Sequence, residues 1–75
     1  MEKVYAVVAG EVSRKGRTFP NEVTFLNWLS TMSQYKRHGL TTDEFFGGFQ
    51  ALVLAQRILV KKKRGNVRVK VVDNA

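Results

Sequence analysis

The apolar positions of the chain fall into four segments, each with its own period. Residues 3–12, KVYAVVAGEV, are rich in β-branched side chains and predict a strand. Val4, Ala6 and Val8 would share one face, with Tyr5, Val7 and Ala9 on the other. Both faces are apolar, so this strand is expected to be central or covered on both sides. Ser13-Arg14-Lys15-Gly16 carries turn chemistry, and Gly16 is free to take positive φ. Arg17-Thr18-Phe19 is expected to return as a short hairpin arm before Pro20 stops it.

From about Pro20 to Arg37 the pattern is helical. Phe25, Trp28, Leu29, Met32 and Tyr35 form one apolar stripe at i, i+3, i+4, i+7 and i+10. Asn27, Ser30, Thr31 and Gln34 occupy the opposite face. Asn21 or Thr18 would supply the N-cap, and Gly39 would end the helix.

A second helix opens at Thr41-Thr42-Asp43-Glu44, a capping box, with Leu40 and Phe45 as its hydrophobic staple. It is predicted to run to about Arg64 and stop at Gly65. Phe45, Phe49, Leu52 and Leu59 would form its large apolar face. Gly47, Gly48, Ala51 and Ala55 would form a small-residue face that another backbone can approach closely. Asp43, Gln50, Arg57 and Lys61 mark its solvent side. Gln56 falls in the middle of the large face and is expected to be a buried amide with a structural hydrogen bond. Residues 66–72, NVRVKVV, alternate cleanly, with Val67, Val69 and Val71 inward and Arg68 and Lys70 outward. This strand is expected to run antiparallel to the first.

The predicted fold class is α+β: a single domain over residues 1–75, ordered β(β)ααβ, with a helical hairpin packed on a two- or three-stranded antiparallel sheet. Two strands alone are marginally stable, so a short third strand or a homodimer that extends the sheet is expected.

Composition narrows the chemistry. At 44% hydrophobic and 11% aromatic, the chain is built to fold. Cysteine is absent, which removes disulfides, thiolate metal sites and a cysteine nucleophile. The single histidine, His38, has no partner for an imidazole metal site or a Ser-His-Asp triad. No metal, cofactor or enzymatic activity is therefore expected. Asp43 and Glu44 are accounted for by a helix N-terminus, and Glu11, near a basic turn, reads as an ion-pair partner. Gly47-Gly48 lies inside a helix, where it cannot cradle phosphates. The apolar stretch 45–60 is interrupted by Gln50, Gln56 and Arg57 and is too short to span a bilayer, so no membrane contact is expected. The opening MEKVYAVVAGEV has no basic segment followed by an apolar one, so no secretory leader is expected and the cytoplasm is the expected compartment.

Charge is what gives the domain a functional direction. There are 13 Lys and Arg against 6 Asp and Glu, a net charge of +7. In the predicted topology Arg14, Lys15 and Arg17 meet Lys61, Lys62, Lys63 and Arg64 at one end of the domain, and Arg68 and Lys70 extend the patch along the last strand. Lys36, Arg37 and His38 lie at the other end. One or two cations would complement a helix C-terminus; four in succession beside a second basic turn crowd like charges at a cost in stability. A phosphate backbone rewards such a surface without requiring a motif. The predicted function is nucleic-acid binding, DNA or RNA, largely independent of sequence.

Reading of bases by a helix does not fit, because the second helix is the most apolar element and the Arg37–Thr41 connection is long for a helix-turn-helix. A ribbon-helix-helix reader would need polar side chains on the first strand. A sheet platform on which Tyr5 stacks beside Arg68 and Lys70 is an alternative mode, set against the simpler expectation that Tyr5 is a packed or dimer-interface aromatic. The alternative function is a basic regulatory module docking on an acidic protein surface, with Val23 and Leu26 contributing apolar contact.

Overall fold

The computed structural model describes residues 2–12, 15–32 and 39–72. Among them are three helices and a three-stranded antiparallel sheet, an α+β domain. The elements are α1 (Glu2–Glu11), β1 (Arg17–Phe19), α2 (Glu22–Thr31), α3 (Thr42–Leu54), β2 (Ile58–Lys63) and β3 (Asn66–Val71).

The first segment is a helix, which corrects the expected strand over 3–12. Val4, Val7, Val8 and Val12 are the buried positions, spaced i, i+3, i+4 and i+8, while Ala6 and Gly10 face solvent. That is a helical period. Its β-branched residues favour a strand locally, but packing against α3 overrides that preference. Of the small residues predicted to share a face of α3, Gly48 permits the approach, while Gly47 and Ala55 are exposed. A Cβ added at Gly48 would lie 2.7 Å from the Val4 Cγ2.

α2 begins as predicted at Asn21, whose side chain accepts from the Thr24 backbone N–H at 2.8 Å. Its stripe of Phe25, Trp28, Leu29 and Met32 packs into or against the core. Tyr35 and the cluster Lys36, Arg37 and His38 lie outside the described residues. α3 opens with the complete capping box between Thr41 and Glu44.

α3 ends at Leu54, ten residues before the predicted stop at Arg64. The cap pairs the Gln56 N–H with the Val53 carbonyl and the Arg57 N–H with the Leu52 carbonyl, at 3.0 and 2.9 Å. These are the two bonds of a Schellman motif. Gln56 holds the left-handed position, φ 62, where glycine is usual. It is exposed, so the expectation of a buried amide is also corrected. Residues 58–63, assigned to the helix by their good helix-forming Leu and Lys, instead form β2. Arg64 and Gly65, at φ 52 and 84, make the two-residue turn into β3, the type I′ geometry of tight hairpins.

β3 is the central strand, and β1 pairs with it rather than with residues 3–12. The inward alternation of β3 holds, with Val67 and Val69 buried and Val71 half-buried. Ile58 and Val60 on β2 oppose Val71 and Val69, and the helices cover this face.

Candidate nucleic-acid interface

The register of the sheet decides which cations share a surface. Side chains directly opposite each other on paired strands project to the same face. Val67 and Val69 point into the core, so Arg68 and Lys70 point outward. Their partners on β2 are Lys61 and Leu59, and Asn66 opposes Lys63. On β1, Thr18 opposes Arg68. The outer face is thus a basic array, with the Lys61–Arg68 pair at its centre. Along a strand, alternate residues stand about 6.8 Å apart.

Two hollows mark this face. The larger, about 750 Å³, lies among Lys61, Lys62, Lys63, Arg64 and Arg68, with Thr18 and Asn66 supplying neutral polar groups. The smaller, about 200 Å³, is bounded by Leu59, Lys61, Arg68 and Lys70. Lys61 and Arg68 border both, so the two hollows adjoin along one basic trough of the sheet face. None of the residues lining it is acidic.

The sequence-predicted patch is therefore gathered in large part, but by a hairpin rather than by a helix end. Lys61, Lys63, Arg64, Arg68 and Lys70 meet on or at the edge of the outer face. Among the described residues, Lys61, Lys63, Arg64 and Lys70 have no ion-pair partner. Lys62 belongs to the opposite parity; it borders the larger hollow but bonds to Glu22 at the start of α2, 3.1 Å away. Lys15 is exposed just before β1, and its backbone carbonyl accepts a bond from the Arg68 guanidinium. Arg17 does not join the trough. It lies on the other face of β1, over the Phe19 and Trp28 rings at 5.0 and 5.7 Å. Arg14 lies outside the described residues.

Tyr5 is a packed aromatic, as the simpler reading had it, and not a stacking platform on the sheet. Tyr5 is on α1, its hydroxyl donates to the Val72 carbonyl at 2.9 Å, and the Arg57 guanidinium covers its ring at 4.4 Å. Arg57 in turn bonds to Glu2 at 3.0 Å. This cluster ties α1 to the start of β2, and it differs from the basic array in that its charges are matched.

The exposed face of α3 carries the opposite sign: it presents Asp43, Glu44, Gly47, Gln50 and Leu54, with no cation. The Thr41 backbone N–H, and then its side chain, hold the Glu44 carboxyl below its ordinary value, with Lys3 nearby acting in the same direction. Glu44 is therefore ionised at neutral pH and repels phosphate.

Thr18, Leu59 and Asn66 are trough residues that sequence reasoning does not assign to the site. Asn66 is recoverable from Arg64-Gly65 read as a turn, since that fixes its position opposite Lys63. Among the described residues there is no group of three or more His, Cys, Asp or Glu side chains able to hold a metal ion, and no helix is long and apolar enough to cross a membrane. Comparison with protein-family models, with curated proteins and with solved structures finds no match. The functional reading therefore rests on the site itself.

Proposed function

We propose that this domain binds nucleic acid through phosphate contacts on the outer face of its sheet, without base-specific reading and without catalysis. Lys61, Lys63, Arg64, Arg68 and Lys70 make the contacts, with Lys15 and Lys62 at the rim. The observation that carries this reading is the Lys61–Arg68 pair. Like charges placed directly opposite on a sheet face are destabilising, and here they stand over a trough lined by further cations and no acid. A bound phosphate backbone removes that repulsion and releases counterions.

Titration of labelled random-sequence oligonucleotides at 50 and 200 mM salt tests the proposal. Five phosphate contacts predict a slope of log affinity against log salt near −4.5 on a duplex, about 500-fold over that range, and near −3.5 on a single strand. Absence of binding at 50 mM salt to either form would overturn it.

The second reading, docking on an acidic protein surface, draws on the exposure of Val23 and Leu26 on α2, at 67% and 48%. Those side chains lie on α2 and do not line the trough. A protein partner retained at high salt, with a fixed stoichiometry and no competition from oligonucleotides, would favour it.

A further inference from the structure

Resting on the nucleic-acid reading above, we infer that the trough is built for the backbone of a duplex and discriminates against single strands. Three observations lead there. The first concerns the aromatic rings. Proteins that hold single strands gain about 1–3 kcal/mol per base by stacking it on an aromatic side chain. Here no residue lining the trough is aromatic, and Leu59 is its one large apolar side chain. The described rings are committed elsewhere. Phe19, Phe25, Phe45 and Phe49 are core residues, Trp28 and Phe46 pack against them, and Tyr5 is covered by Arg57. An unstacked base brought to this face finds lysine stems and no ring.

The second is the stiffness of the array. Lys61, Lys63, Arg68 and Lys70 are mounted on two strands in continuous antiparallel register, from Ile58 opposite Val71 to Lys63 opposite Asn66. Their Cα positions are fixed by the ladder before any ligand arrives. A duplex presents phosphates in equally fixed rows and loses little freedom on docking. A flexible single strand must first be ordered to match them, an entropic cost set against each contact.

The third is charge density. A duplex carries one charge per about 1.7 Å of axis, against about 3.4 Å for each strand alone. A trough whose attraction comes from its cations, with only Thr18 and Asn66 as neutral polar groups, responds chiefly to that density.

The test is a competition on the full chain. A labelled 20-base-pair duplex bound at 100 mM salt is displaced by unlabelled duplex or by either of its separated strands, at equal nucleotide concentration. The expected result is that duplex competes at least tenfold better than each strand. Equal or better competition by a single strand overturns the inference while leaving the nucleic-acid reading intact. Failure of the labelled duplex to bind at 50 mM salt, with the single strands also failing, overturns both. Binding by single strands alone overturns the inference outright. Lys61→Glu serves as the site control: the outward position leaves the core untouched, so loss of duplex binding in a folded variant places the duplex contact in the trough, and unchanged duplex binding overturns the inference.

Discussion

Arg57 and Arg68 are guanidinium groups on neighbouring strands or their approaches, yet their settings are opposite. Arg57 is largely withdrawn from solvent, bonded to Glu2 and laid over Tyr5. Arg68 is exposed, faces Lys61, and bonds to the neutral carbonyl of Lys15. One arginine has its charge answered inside the molecule, and its contribution is to hold α1 against the sheet. The other sits among like charges, with no carboxylate partner among the described residues. The contrast separates basic residues that serve the structure from those available to a ligand, a distinction that net charge alone does not make.

Substitutions can pull these two regions apart. Reversing Lys61 and Lys63 together to Glu should lower duplex affinity about 100-fold at 100 mM salt and flatten the salt slope by about 2. In the same protein, the carboxylate introduced at position 61 should raise thermal stability slightly, because its cross-strand ion pair with Arg68 replaces a repulsive contact. Gly48→Ala acts on the other region. Its methyl would meet the stiff, buried Val4, so urea unfolding should show a loss of about 1–3 kcal/mol, with affinity per folded molecule unchanged. Arg57→Ala should cost about 1–2 kcal/mol through the lost ring contact and the lost packing of its stem, again without changing affinity.

Smaller effects sharpen the division. Arg64→Asn places a residue that tolerates the left-handed conformation at φ 52. It should stabilise the hairpin by about 0.5 kcal/mol and weaken duplex binding about threefold. Opposite signs in the two measurements are the signature of a residue kept for its charge at a position its backbone disfavours. Smallest of all, Glu22→Gln releases Lys62. Both partners are more than half exposed, so stability should change by less than about 1 kcal/mol, while affinity rises slightly.

The capping box, the Asn21 cap, the stripe of α2 and the alternation of β3 are all legible in the chain, because each is a local signal. The basic patch is legible as a composition and only in part as a set of residues, since Arg17 and Lys62 project to the other face. Its support is not. The pattern reads as helix through to Gly65 because Gln56, not glycine, ends α3, and because Ile-Leu-Val-Lys-Lys-Lys suits a helix as well as a strand. What decides the matter is cross-strand pairing with Val67 and Val69, a gain that the period of one segment does not carry. Residues 3–12 mislead for the converse reason. Valine favours strands, but at i, i+3, i+4 and i+8 the valines of this first segment bury one helical face against α3. Tyr5 is misplaced with them, and with it the idea of a stacking platform.

The run Lys61-Lys62-Lys63 shows that in a strand, odd and even positions live in different environments. A helix would have fanned these three cations around its axis. On β2, Lys61 and Lys63 are delivered to the outer face and Lys62 to the other parity, where Glu22 meets it. The Schellman cap at Gln56 and the two-residue turn at Arg64-Gly65 keep the count. Sliding β2 by one residue against β3 would turn Lys61 and Lys63 toward the helices and bring Lys62 out alone. The outer basic face of this domain is thus a matter of arithmetic: whether a β2 lysine joins it or meets a carboxylate depends on its number along the strand being odd or even.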